Sequence, residues 1–517
     1  MFDLKIKDVN EMTVDELIGQ VIMVGLPYHY LDEEYKKFIK DYKIGNYILF
    51  ARNYKDTKQM KSFMKDLYNI SEETTGSYPL VSIDQEGGMV VRLFKDVTFP
   101  ASPLTTSATS IKKAPYITGS IIAKDMLKMG INLNLAPCLE INEDLSNPLV
   151  NVRGYGATKE IVLNNASMFV NGLEENGVLS CIKHFPGAGS STKDSHLELP
   201  IIDDAKEQLE SYNMYPFFKL NHSSALMTSH CIYKAFDEYP STLSKVLLTD
   251  VLRNQIGFKG LIISDGMEMK AILDHYGIEQ GTIIALKAGC DILLLCHEYE
   301  YQKLALDSLK KAVLSNEISI DLLKEKVNRI NLAKQKIKNE IEKHFNEDEY
   351  IINNEEHNLM QQIVDNSYTL VKGEEPIIKD NTLVLSSTTK VASIVEDEFD
   401  DYNLTTSLKK QFPNNKVIEF TKEQSFTEKV LEIIDEYEDI LIYSYGAHTH
   451  EVQLNTINKL LSLKKNVYVV SLKGIEDQNH FKNLKNYACL YEYTPNGIKT
   501  VIKQLKGEIK LNGKLPK

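Results

Sequence analysis

Between residues 20 and 295 the chain repeats one pattern eight times, a short apolar run followed by a longer amphipathic stretch. The runs are Gln20–Leu26, Tyr47–Ala51, Leu80–Ile83, Leu133–Ala136, Val178–Ile182, Ala225–Thr228, Gly260–Ser264 and Asp291–Leu295. As a group they do not alternate apolar with polar residues, so they predict strands buried on both faces, and buried strands that alternate with helices belong to a parallel sheet. Eight such units predict an α/β fold with an N-terminal TIM-type (β/α)8 barrel, whose chemistry-bearing side chains lie just past the C-terminal ends of the strands. Polar residues stand at those positions: Asp84 after the third run, Lys183 and His184 after the fifth, His230 after the sixth and Asp265 after the seventh.

A length of 517 residues exceeds one ordinary domain, and the pattern changes where a second would begin. Thr13-Val-Asp-Glu16 reads as a capping box that opens the first helix. A charged helix from Ile320 to about Phe345 leaves the barrel pattern, and the polar, aperiodic stretch Asn346–His357 is the expected linker. Later runs at Thr382–Leu385, Lys416–Phe420, Ile440–Tyr443, Val467–Ser471 and Cys489–Tyr491 alternate with helical-length segments. They predict a smaller three-layer αβα sandwich with a mostly parallel sheet. The expected division is a barrel with its exit helix over residues 1–345 and the sandwich over 346–517.

The formal net charge of -13 argues against a nucleic-acid partner, because polyphosphate binding needs a concentrated basic face. The acidic N-terminal residues and early interruption of the first apolar run fit neither a signal peptide nor a membrane span. Six cysteines are scattered singly, and Cys138, Cys181, Cys231, Cys290 and Cys296 lie in or beside apolar runs. Buried thiols in a reducing cytoplasm are therefore expected rather than disulfides. Gly187-Ala-Gly189 lacks the Lys-Ser/Thr ending of a phosphate-binding loop. Neither a cofactor nor a metal is expected, and the sequence is silent on oligomeric state.

The densest chemistry lies in Cys181–Pro200. Asp194 and His196 are two residues apart, so in an extended segment both side chains point the same way and the carboxylate can orient the imidazole as a general acid/base. Lys183 and His184 precede this loop at the end of a strand-like run that can aim their donors at a ligand.

At Lys183-His-Phe-Pro-Gly, Asp194-Ser-His196 and Ile263-Ser-Asp265 the chain resembles family 3 glycoside hydrolases, specifically bacterial β-N-acetylglucosaminidases. The likeness includes Leu49-Phe-Ala-Arg-Asn53, Asp84-Gln-Glu-Gly-Gly88 with Arg92, Asn134-Leu-Ala-Pro137, Asn151-Val-Arg153, Met227-Thr-Ser-His230, and Met269 after Asp265. It extends to Ser367-Tyr-Thr-Leu-Val-Lys372 and Gly513-Lys-Leu-Pro516 near the C-terminus. The resemblance implies that Asp265 is the nucleophile, His196 the general acid/base and Asp194 its orienting partner. It further implies that Asp84, Arg92, Arg153, Lys183 and His184 hold a terminal N-acetylglucosamine on a small saccharide. Retaining hydrolysis through a covalent glycosyl-enzyme follows, and the residue types permit it: a strand-end carboxylate can attack an anomeric carbon while an imidazolium protonates the leaving oxygen.

A histidine acid/base has a consequence of its own. Like charges about 4 Å apart repel by roughly 4 kcal/mol at an effective dielectric near 20, so a neutral imidazole admits phosphate where a carboxylate resists it. Phosphorolysis is the alternative within this chemistry, and a broader β-glucosidase or β-xylosidase the alternative in substrate. His184, Asp194, His196 and His230 also offer a metal-hydrolase reading, against which stand Lys183 beside the ligands and the lack of His-x-His on the first strand. The non-enzymatic reading, a carbohydrate-binding protein, requires a missing catalytic group, and none is missing. Asp265 as a helix cap, with Glu268 as rival nucleophile, is the structural alternative. Three positions depart from the family pattern: Ala188 and Met89 replace a usual histidine and arginine, and Glu140 stands where aspartate is common.

Overall fold

The computed structural model describes residues 4–143, 150–187, 198–346, 350–387, 402–420, 427–463 and 466–517. Its strands begin with β1 (Ile22–Gly25), β2 (Asn46–Leu49), β3 (Leu80–Ile83), β4 (Leu133–Asn134) and β5 (Leu179–Phe185). They continue with β6 (Ile201–Ile202), β7 (Ala225–Thr228), β8 (Ile232–Tyr233), β9 (Leu261–Gly266) and β10 (Ile292–Leu295). Eight of these close into a parallel barrel in the order β1-β10-β9-β7-β5-β4-β3-β2. The seam closes at β1, where Ile22 pairs with Leu293 of β10 and Met23 with Asn46 of β2. β6 and β8 pair with each other outside the barrel and tie the connection after β5 to the one after β7.

Non-alternating runs became strands because both faces are covered: β1, β2, β3, β7 and β10 are buried at every residue. In β9, Leu261, Ile262 and Ile263 are essentially inaccessible. Burying each such side chain stabilises by roughly 1.5–3 kcal/mol, which makes the strand that carries Asp265 a rigid support. β5 and β9 run past their expected ends, so Lys183, His184 and Asp265 sit on strand backbone.

The Thr13 capping box forms, with Glu16 N bonded to Thr13 Oγ1 and Glu16 Oε2 accepting from Thr13 N at 2.7 Å. The exit helix spans Ile320–Phe345 and buries Leu323, Val327, Ile330, Ile337 and Ile341 at helical spacing. The expected linker is shorter than its composition indicated. Asn353 caps the helix Asn354–Asp365 by accepting from the amides of Glu355 and Glu356, so His357 is already helical. Polar residues in a first helical turn look like a linker in sequence because their apolar partners come later, at Met360, Ile363 and Val364.

The second sheet comprises β11 (Thr369–Lys372), β12 (Thr382–Ser387), β13 (Val417–Phe420), β14 (Asp439–Ser444), β15 (Asn466–Ser471) and β16 (Asn486–Cys489), in the order β11-β16-β15-β14-β12-β13. All pairings are parallel except that of β11 with β16. The last strand starts earlier than the expected Cys489–Tyr491 run and ends on its first residue, with Leu490 and Tyr491 buried just beyond it. The sheet is joined to the barrel by shared apolar clusters. Met89, Ala101 and Ile121 pack with Met360, Tyr443 and Tyr493, and Val152 and Ala157 pack with Ile475, Cys489 and Tyr491. All six cysteines are buried free thiols, and no helix among the described residues is long and apolar enough to cross a membrane.

Candidate active site

The C-terminal ends of β3, β5 and β9 supply the charged groups. Asp84 follows β3 directly, and Glu86 stands two residues on, in a turn made possible by Gly87 and Gly88, both at positive φ. A Cβ at Gly87 would fall 2.1 Å from the Ala101 carbonyl oxygen, so the turn presses on the next segment with no room for a side chain. From β5, Lys183 Nζ reaches Asp84 Oδ1 at 2.7 Å and Glu86 Oε1 at 2.7 Å. Arg153 donates from Nε and Nη2 to the two oxygens of Glu86 at 2.9 and 2.8 Å, and Arg92 Nη2 stands 3.7 Å from Asp84 Oδ2.

Five side chains thus form one network in the order Arg92, Asp84, Lys183, Glu86, Arg153. Burial alone would raise the Glu86 carboxyl, but Arg153 and Lys183 outweigh it and hold the group well below the usual carboxylate range. Burial likewise opposes the Lys183 ammonium, yet Asp84 and Glu86 keep it charged. Three fixed cations against two carboxylates offer donors and acceptors suited to charge-assisted hydrogen bonds with an oxygen-rich neutral ligand.

His184 is oriented separately. Glu140 Oε1 accepts from the His184 backbone amide at 2.9 Å and from Nδ1 at 2.7 Å, while Oε2 accepts from the Cys138 thiol. Because a carboxylate only accepts, Nδ1 carries the proton, and Nε2 is left to meet a ligand. The glutamate that departs from the family pattern therefore sets the orientation of this histidine. The donor atoms of Cys138, Glu140 and His184 lie within 4.8 Å of one another, but the hydrogen bonds just described already join them.

Asp265, half-buried at the end of β9, accepts from the Gly266 amide through Oδ1 at 2.7 Å. His230 is fully buried beneath it, with Nε2 donating to the Gly266 carbonyl at 2.9 Å and Nδ1 2.7 Å from Thr242 Oγ1. Both ring nitrogens are engaged, which makes His230 a support for the end of β9 and removes it from the metal-ligand set. The rival carboxylate, Glu268, accepts from the backbone amides of Cys296, His297 and Glu298, and so fastens the turn after β10. Asp194, His196 and Ala188 lie outside the described residues.

Of the sequence-derived residues, the structure brings Asp84, Arg92, Arg153 and Lys183 into one network, with His184 next to Lys183 on β5 and Asp265 across the same barrel end. Sequence reasoning missed the central place of Glu86 and the role of Glu140. The only signal for Glu86 was a carboxylate held in a Gly-Gly turn just past a strand.

A closed parallel barrel with charged groups gathered at the C-terminal ends of its strands is the architecture of a TIM-barrel enzyme. The profile of the Glycosyl hydrolase family 3 N terminal domain matches residues 13–333, and the chain belongs to that family. It is 33% identical over 297 residues to a β-hexosaminidase of Photobacterium profundum, covering 56% of this chain and 86% of the relative. It is 31% identical over 320 residues to β-hexosaminidase A of Pseudoalteromonas piscicida, covering 55% of this chain and 54% of the relative, so it spans about half that protein's length. The structure of a family 3 β-N-acetylglucosaminidase from Paenibacillus sp. str. FPU-7 superposes with a TM-score of 0.90 at 29% identity, covering 98% of each chain.

Proposed function

We propose that this glycosidase releases terminal, non-reducing β-linked N-acetylglucosamine from muropeptide or chitin-type saccharides by a retaining mechanism. The observation that carries the reading is the Arg92–Asp84–Lys183–Glu86–Arg153 network, set with His184 across the barrel end from Asp265. The family membership and the names of its relatives support the same sugar.

In this mechanism Asp84 accepts from sugar hydroxyls while Lys183, Arg92 and Arg153 donate, which fixes the ring so that its anomeric carbon meets Asp265. His196, oriented by Asp194, protonates the leaving oxygen as Asp265 forms the glycosyl ester, then takes a proton from the water that cleaves it. With a reference pKa of about 6.5, an imidazole can fill both roles near neutral pH. Six buried free thiols support a cytoplasmic setting, and the sugar fits a part in peptidoglycan turnover.

The test compares chromogenic β-N-acetylglucosaminide with the matching glucoside, in phosphate and in phosphate-free buffer. Faster cleavage of the acetamido sugar to free N-acetylglucosamine is expected. Faster cleavage of the glucoside rejects the sugar, and accumulation of sugar 1-phosphate replaces hydrolysis with phosphorolysis.

A further inference from the structure

We propose that the second domain positions a sugar-binding cation of the barrel: Glu476, on the loop after β15, holds the Asn151–Arg153 turn and through it sets the place of the Arg153 guanidinium. The inference rests on the reading of Arg153 as a sugar ligand, and it gives the second domain a role in the reaction.

The turn that carries Arg153 is a single 3-10 turn, Asn151–Arg153, whose own backbone supplies one hydrogen bond, from Arg153 N to the Val150 carbonyl at 2.8 Å. Its first residue has φ of 37°, in the left-handed region that asparagine tolerates better than most side chains. Glu86 holds the guanidinium itself, but so short a turn does not hold its own backbone in place unaided. Three contacts with the C-terminal part of the chain secure it. Asn151 Nδ2 donates to Glu476 Oε1 at 3.1 Å, with both residues 3% exposed. Val152 packs in the cluster that contains Ile475, Cys489 and Tyr491. Just beyond the turn, the Ala157 amide donates to the Pro516 carbonyl at 3.2 Å.

Glu476 is itself braced. A Cβ at Gly474 would lie 2.2 Å from Glu476 Oε2, so only glycine lets the carboxyl fold back over its own loop. The adjacent Asp477 accepts from His448 Nδ1 at 2.9 Å, the His448 amide at 3.0 Å and Ser444 Oγ at 2.9 Å, which anchors the loop to the end of β14. A continuous path therefore runs from the second sheet through Asp477, Glu476 and Asn151 to Arg153, and on to Glu86 and Lys183. Burial raises the Glu476 carboxyl to about 7, and a glutamine there keeps a carbonyl oxygen that can accept from Asn151 Nδ2.

The experiment uses the full chain and its Glu476→Ala, Glu476→Gln, Asn151→Asp and Arg153→Ala variants, together with the double variant Glu476→Ala/Arg153→Ala. Steady-state hydrolysis of chromogenic β-N-acetylglucosaminide is measured for each, with thermal melts as a check on folding. Glu476→Ala is expected to lower kcat/KM by about tenfold, mainly through KM, and Asn151→Asp to do the same from the other side of the hydrogen bond. Glu476→Gln keeps an acceptor for Asn151 Nδ2 and is expected to retain most activity. In the double variant the loss is no greater than that of Arg153→Ala alone, because both changes remove the same group from its place. Losses that multiply, or a Glu476→Ala variant with unchanged KM, overturn the inference while leaving the function reading intact. A wild-type protein with no β-N-acetylglucosaminidase activity overturns the function reading and the inference with it.

Discussion

Glu140 accepts two hydrogen bonds from His184, one from the backbone amide and one from Nδ1, through a single carboxylate oxygen. That arrangement assigns the ring's proton to Nδ1 and fixes the face on which Nε2 stands. Replacing Glu140 with alanine removes a charge-assisted bond worth about 1.5–3 kcal/mol and frees the ring to rotate, so kcat/KM on β-N-acetylglucosaminide should fall by roughly 10- to 100-fold. Steady-state kinetics alongside a thermal melt check this. An unchanged kcat/KM in a folded variant would show that His184 needs no orientation.

The Glu86 carboxyl titrates below its ordinary value because Arg153 and Lys183 outweigh its burial. The folded state therefore binds fewer protons in acid than the unfolded one. The contribution is present in full above the unfolded value of about 4.3 and is lost as pH falls below it toward the folded value. Glu86→Gln should flatten the acid side of the stability curve, read as the urea midpoint between pH 7 and pH 3. A variant with the same acid slope as the parent would contradict this.

Lys334 is fully buried, with Nζ donating to Gln20 Oε1 at 2.8 Å, and burial lowers its ammonium to about 7. Here the unfolded state holds the extra proton between pH 7 and its own value of about 10.4, so this group makes stability rise with pH across that window. Lys334→Met should remove the rise and stabilise the protein at neutral pH. Denaturant midpoints at pH 7 and pH 9.5 decide it, and a Lys334→Met protein that keeps the full rise would be inconsistent with a neutralised lysine.

Gly87 holds φ at 107° against the Ala101 carbonyl. Gly87→Ala combines left-handed strain of about 1–3 kcal/mol with a backbone clash, and it displaces the turn that carries Glu86. The expected outcome is a lower Tm together with a raised KM. Wild-type values for both would mean that the turn is pliant.

The barrel was legible because its physics is local: buried parallel strands write apolar runs, and the groups at their ends are read by counting along the chain. Glu86 and Glu140 were not legible as partners, because their roles depend on Arg153, Lys183 and His184, which the fold brings together from distant segments. His230 looked catalytic or metal-binding by position, yet both of its nitrogens are spent on Gly266 and Thr242, a use no spacing reveals. β11 escaped notice because an antiparallel edge strand needs burial on one side only. The tie from Glu476 to Asn151 joins residues 325 apart in the chain and leaves no sequence pattern.

The central claim is that Asp265 forms the bond to the sugar while His196 manages the proton. Its most direct test is rapid-quench mass spectrometry of the His196→Ala variant reacting with a β-N-acetylglucosaminide that bears an activated phenol. That substrate needs little protonation to leave, so the ester should form readily and, with no base to activate water, accumulate. The account predicts one N-acetylglucosamine residue attached to the peptide that contains Asp265. Turnover without any covalent adduct, or an adduct on another carboxylate such as Glu268, would contradict it.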